Sequence, residues 1–314
     1  MKITNNYNLP QSVYGVLSDT YSPKPDKIWI THLINAPLQR QLMLKHWNEL
    51  EEDASDRLWS LLGKMGHRVF EPDVYSKIKS IVNSSLELTE IGEKVLSIFN
   101  GLSEHVWAEK HLEHVIDGIT LSGRLDRYDT TTGTLEDFKF TSVYSFLLGD
   151  KPEWEAQLNV YAWLVTKHIQ KENLPDICQP KQLYIEAILR DWMKSKTVDW
   201  DYPKTSFMRF SIPNWGFEKQ EKYIKERIRL HLAPATECTP EEKWTRKSVW
   251  KLKKEGRKTS VKNEDSEEHI KFYAAEKGLL TEGKLKTGYS IEEHKGSNVK
   301  CESYCVCRKV CPYV

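Results

Sequence analysis

Apolar and polar positions alternate over residues 119–128 and again over residues 134–141, which predicts two β-strands. Between them Thr130-Thr131-Thr132-Gly133 supplies a turn, with a glycine free to take positive φ. Residues 182–189 alternate in the same way and predict a third strand, after which Arg190-Asp191-Trp192 is placed at a sheet edge. Helical spacing appears elsewhere: Trp154, Leu158, Tyr161, Ala162 and Val165 form an apolar stripe, and residues 217–232 read as an amphipathic helix. Further helices are predicted over 33–50, with Pro37 near the start, from Asp56 onward, and over 81–102. Helices interspersed around a hairpin-containing sheet predict an α/β (α+β) fold. The chain shows no apolar run of membrane-spanning length, so no membrane partner is expected.

The 314 residues carry 46 Lys and Arg against 45 acids, a formal charge of +1. Bulk charge therefore does not announce a nucleic-acid binder, and any such surface must be local. Residues 243–262 provide one, with nine Lys or Arg and a single acid, Glu255, interleaved with Trp244 and Trp250. The segment reads as a basic hairpin that would neutralise phosphates while its tryptophans stack on unpaired bases. The alternative is a solvated hairpin with both tryptophans packed beneath it.

The strand alternation has a chemical consequence. Asp137 and Lys139 share a face, Phe138 points the opposite way, and Asp126 lies near the end of the partner strand. Two carboxylates brought that close repel unless a cation joins them, and Mg²⁺ or Mn²⁺ suits hard oxygen ligands. Alone, an Asp-x-Lys on a strand is usually a solvated ion pair. Here it has ordered neighbours: His67, four residues before Glu71; Glu109; the run Gly123-Arg124-Leu125-Asp126; and Gln157 with Tyr161, one helical turn apart.

This ordered set resembles the RecB-type branch of the PD-(D/E)XK nuclease superfamily over about residues 55–170. The resemblance implies a restriction-endonuclease-like core, a central mixed sheet flanked by helices. It also implies that His67, Asp126 and Asp137 are metal ligands, joined by the backbone carbonyl of Phe138. Lys139 would be the catalytic lysine, and Gln157 and Tyr161 would contact DNA or orient the site. Leu125 stands where the superfamily name has proline. Glu109 is either a further metal ligand, direct or through water, or a strand-edge acid.

Four of the six cysteines fall at Cys301, Cys305, Cys307 and Cys311. With no leader-like segment at the start, a reducing, cytoplasmic setting is expected, where clustered thiols suggest metal. The tail is similar to that of AddB relatives and CRISPR-adaptation exonucleases, which implies a 4Fe-4S iron–sulfur cluster on Cys238, Cys301, Cys305 and Cys311. Thiolates suit Zn²⁺ as well, and an all-local site that includes Cys307 stays open. The expected organisation is an entry segment (1–54), a nuclease core (55–235) and a basic-hairpin and cysteine extension with its metal staple (236–314). The expected function is a divalent-metal-dependent DNA nuclease acting from duplex ends or on single strands, with a helicase or recombination partner. The layout is similar to phage-encoded members. The alternatives are a nuclease-fold DNA-binding subunit without catalysis, and a zinc- or iron–sulfur-stapled interaction protein.

Overall fold

The computed structural model describes residues 1–70, 105–147 and 151–314. The chain divides into two units, Met1–Ala235 and Thr236–Val314.

A five-stranded mixed sheet organises the first unit, in the order Phe207–Ile212, Gln182–Leu189, Thr134–Thr141, Arg127–Asp129, Val106–Ala108. The strands Thr134–Thr141 and Gln182–Leu189 are parallel and in register from end to end, and the other pairings are antiparallel. Gln182–Leu189 is therefore internal, and Arg190 continues its pairing by donating its N–H to the Thr141 carbonyl. The expected edge position of residues 190–192 is corrected accordingly. Asp191 caps the backbone of Val143, and the Trp192 indole donates to the Pro203 carbonyl.

Parallel neighbours require a crossover, and the helix Pro152–Lys171 supplies it. Proline at its first turn and acids at Glu153 and Glu155 suit a helix N-terminus. The expected single apolar stripe is too narrow a description. Leu158, Val160, Trp163 and Leu164 are all at most 1 % exposed, because the helix contacts the two parallel strands, the strand His111–Ile116 and the helix Phe217–Leu232. Burial all round demands that Asn159, fully buried among them, be satisfied. Its amide donates to the carbonyls of Glu155 and Pro213 and accepts from Trp215 N–H and Gln220.

A second sheet joins Lys27–Trp29, Ile119–Arg124 and His111–Ile116. The Asp117-Gly118 turn has φ of +49° and +76°, the backbone of a two-residue hairpin. The strand expected over 119–128 is broken at Leu125 and Asp126, where the chain leaves this sheet and enters the five-stranded one. The helix expected over 33–50 is likewise divided into Ile30–Leu33 and Pro37–His46. Pro37 forces the preceding Ala36 out of helical geometry (φ −58°, ψ 128°) and starts the second piece. The helix expected from Asp56 begins with a tight turn, Ala54–Arg57, capped by Asp53 on Ser55 N–H, and continues as Leu58–Phe70. The helix expected over 81–102 lies outside the described residues.

The second unit has its own small core, Leu252, Ile270 and Ala274, between a three-stranded sheet and the helix Glu267–Glu276. That sheet is Lys262–Glu264, Val249–Lys254 and Tyr289–His294, all antiparallel, so the expected basic hairpin is present. Among the described residues no helix is long and apolar enough to cross a membrane.

The Phe217–Leu232 helix is tied to the amino-terminal segment through Arg227, which donates to the carbonyls of Leu33 and Asn35, and through His231, 2 % exposed, which holds the Leu33 carbonyl at 3.0 Å. Within that segment Arg40, 3 % exposed, donates to the carbonyls of Lys24, Pro25 and Lys27. Burial, with Arg227 and Arg40 nearby, pushes His231 down to about 4 despite its bond to Leu33. A histidine held neutral in the folded state contributes stability that is fully present above the unfolded value of about 6.5 and is lost as pH falls toward 4. Relative to His231→Gln, the wild-type protein should lose about 3 kcal/mol between those limits, read from urea midpoints across pH. Parallel pH profiles for the two proteins would refute this.

Candidate active site and cysteine centre

Asp137, Lys139 and Gln157 close a triangle. Lys139 Nζ lies 2.7 Å from Asp137 Oδ2, and donates to Gln157 Oε1 at 3.1 Å. The other end of the same amide, Gln157 Nε2, donates to Asp137 Oδ1 at 3.0 Å. The expected shared face of Asp137 and Lys139 is thus observed, with the crossover helix setting both groups. Asp137 is 3 % exposed, and a carboxylate so buried requires compensation.

Asp126 enters from the sheet junction. Its Oδ2 accepts the Phe138 N–H at 2.7 Å, which locks it beside Asp137. Both strands that change sheets do so here. Glu109 N–H donates to the Asp126 carbonyl and Leu125 N–H to the Lys110 carbonyl, and Glu109 takes a left-handed φ of +48°. Such a kink re-aims side chains and is common next to active sites. Glu109 is therefore bonded to Asp126 through the backbone, at the junction itself.

Tyr161 lies beneath. Its hydroxyl donates to the Arg124 carbonyl at 2.7 Å, and its acidity is suppressed by burial first, then by Asp137 and Asp126. Gly123 makes this placement possible: a Cβ there would sit 2.6 Å from Ile30 Cδ1 and 2.7 Å from Tyr161 Cε1. A glycine inside a strand marks such an approach, a signal present in the sequence but not used. Gly66 does the same for the Leu58–Phe70 helix, where a Cβ would meet the Phe140 ring. His67 follows it on that helix, and its side chain, like Glu71, lies outside the described residues.

The opposite face of the same strand is held differently. Glu136 pairs with Arg127 and Arg209, and Arg209 also binds Glu186, so arginines from the flanking strands offset two buried acids. Nothing in the local sequence pattern pairs these residues, because they lie on four different strands.

The residues fit a divalent cation by donor chemistry. Asp126, held on the Phe138 N–H, and the neighbouring Asp137 provide hard carboxylate oxygens beside the Phe138 backbone.

In the second unit, Thr245–Arg246 pairs antiparallel with Ser297–Asn298, and Lys300 N–H donates to the Lys243 carbonyl. These contacts lay Cys238 alongside the tail. Its thiol is pushed up to about 11 by burial, then by Glu242 and the thiols of Cys301, Cys311 and Cys305. Cys307, fully buried, hydrogen-bonds Cys305, which lowers Cys305 and raises Cys307. The five thiols thus share one neighbourhood, although among the described residues no three of their sulfurs lie within 4.8 Å of one another; as soft donors they suit either a cluster or zinc.

The basic hairpin is partly neutralised. Lys253 pairs with Glu292 and Lys262 with Glu264, while Lys254, Arg257 and Lys258 stay exposed at its tip. Trp250 packs on the unit's core, so the expectation that both tryptophans face nucleic acid is corrected; Trp244 alone is exposed.

The model of the PD-(D/E)XK nuclease superfamily matches residues 31–312. Among solved structures the chain is similar to that of SSO0001, at 15 % identity, covering 71 % of this chain and 84 % of that one, with a TM-score of 0.32. So low a score adds no argument. No curated protein matches.

Gly123→Ala should push Tyr161 and Ile30 apart from the junction and misplace Asp126. Misplacement by about 1 Å costs on the order of a hundredfold in turnover. Phosphodiester hydrolysis by a folded Gly123→Ala protein within a factor of about two of wild type would refute the packing argument.

Proposed function

We propose the following activity for this chain, which belongs to the PD-(D/E)XK nuclease superfamily: divalent-metal-dependent hydrolysis of phosphodiester bonds in DNA, acting from an end or on single strands. The observation that carries it is the buried Asp137 locked to Lys139 and Gln157, with Asp126 anchored on the intervening Phe138 N–H. Asp126, Asp137, the Phe138 carbonyl and His67 would hold Mg²⁺ or Mn²⁺. Such an ion, when bound, supplies a water of lowered pKa and offsets charge on the phosphate.

The chain's own residues do the rest. Lys139 carries a point charge for the attacking water or a phosphate oxygen, and Gln157 fixes its position relative to Asp137. Tyr161 is a positioning residue, since its proton is committed to the Arg124 carbonyl and its acidity is suppressed. Glu109 holds the junction that presents Asp126, and its own carboxylate is a further candidate ligand.

Asp137→Asn and Lys139→Ala should each lower turnover on linear DNA with Mn²⁺ by about a hundredfold or more. Near-wild-type cleavage by both folded variants would overturn the assignment. Loss of hydrolysis on closed circles but not on linear strands would support attack from ends.

The cysteine centre would hold a 4Fe-4S cluster on Cys238, Cys301, Cys305 and Cys311, in a structural role because hydrolysis transfers no electrons. Support comes from the pairing of Thr245–Arg246 with Ser297–Asn298 and the bond from Lys300 N–H to the Lys243 carbonyl, which run the segment after Cys238 beside the tail. Protein purified without oxygen should contain iron and sulfide, and Cys238→Ser should lose both along with thermal stability. Zinc alone would replace the cluster by a Cys₄ site. Full metal retention in Cys238→Ser, with loss in Cys307→Ser, would assign the all-local set.

A further inference from the structure

We infer that Trp244 and Tyr304, in the second unit, form a stacking site for an unpaired nucleobase, which makes single-stranded nucleic acid its ligand class. The inference rests on the reading above only for its choice of ligand. Trp244 is 49 % exposed and Tyr304 67 % exposed, with ring centroids 5.5 Å apart and planes tilted by 59°. Two rings in such tilted contact normally bury each other's faces in a core. Here they stand at the surface, with Lys300 Nζ 5.5 Å from the Trp244 ring.

The backbone beneath is built to hold them. Trp244 has φ +54°, a left-handed conformation that a bulky side chain rarely adopts and that burial does not compensate at this position. It is enforced by N–H bonds from Lys243 to the Thr239 carbonyl, Trp244 to Glu241 and Thr245 to Pro240, while Tyr304 N–H holds the Lys300 carbonyl. Strain maintained at a surface aromatic points to use of that side chain.

Charge selects the ligand. Arg246 and Lys247 follow Trp244 and are exposed, and Lys300 stands over its ring. Lys243 is occupied by Glu237, and of the nearby acids Glu242 and Glu302 accept backbone N–H groups from Thr239 and Asn298 while the exposed Glu241 bonds the Thr239 hydroxyl. Trp200 offers the contrast: it is 92 % exposed, yet it lies between Asp199 and Asp201, which would repel a phosphate. Stacking needs a base whose face is free, so duplex, with its bases already stacked, is the poorer ligand.

Fluorescence anisotropy of the full chain, with no added Mg²⁺ or Mn²⁺ and no chelator so that the cysteine centre stays intact, would compare labelled thymidine and uridine oligomers with an abasic strand and a duplex of equal length. Wild-type protein should bind both base-bearing strands about tenfold or more tighter than the abasic strand. Trp244→Ala combined with Tyr304→Ala should erase that preference, and Trp244→Phe should keep most of it. Equal wild-type affinity for base-bearing and abasic strands overturns the site without any variant, leaving the surface to a partner of another kind. A preference retained by the double variant overturns it too. Nuclease assays separate the two readings, because base preference in a protein that never hydrolyses DNA would remove the nuclease reading and leave this one.

Discussion

Burial of the Asp137 carboxylate is the constraint on which the rest of the first unit depends. A carboxylate at 3 % exposure carries a desolvation cost of several kcal/mol unless partners offset it. Lys139, two residues along the strand, gives charge, and Gln157, from the crossover helix, gives a hydrogen bond. Each depends on the other's placement, so strand and helix must dock in one register. In that register residues 158–165 of the helix Pro152–Lys171 are buried on every side, and Asn159 among them is fully hydrogen-bonded.

The two faces of the strand Thr134–Thr141 solve the same electrostatic problem in opposite ways. On one, Glu136 and Glu186 are met by Arg127 and Arg209, whose guanidinium groups bind carboxylates in fixed geometry. On the other, Asp137 and Asp126 converge on a backbone N–H, an amide and an ammonium on a flexible stem. The arginine face offsets its acids with fixed positive charge, although Glu186 Oε2 is buried without a hydrogen bond. The aspartate face keeps oxygen donors close together, which is the arrangement a divalent cation rewards.

Much of this was legible in the sequence where period and turn chemistry act locally. The strand Gln182–Leu189 and the helix Phe217–Leu232 have the bounds their patterns imply, and Gly133 takes φ +69° in the turn where positive φ was expected. The break at Leu125-Asp126 was not legible, because period-two alternation continues through a change of sheet and only pairing reveals it. Gly123 carried the missing hint, since a glycine there trades β-propensity for the approach of Tyr161. The second unit follows the same rule. Its hairpin was readable from local pattern, but whether Trp250 faced solvent or core depended on the helix Glu267–Glu276, which no spacing within the hairpin encodes.

The second unit also explains why thiols gather where they do. Its apolar core is small, centred on Leu252, Ile270 and Ala274, and does not include the segments carrying Cys238 or Cys301 to Cys311. A short helix, Val299–Ser303, and a single turn, Arg308–Val310, bury too little apolar surface to fix themselves. What orders them is the two-residue pairing of Thr245–Arg246 with Ser297–Asn298 and the fully buried Cys307 beneath. A centre held by the surrounding thiols would add the cross-link that such a segment lacks. In the proposed reading the sulfur chemistry thus belongs to folding, and the phosphodiester chemistry to the carboxylates of the other unit.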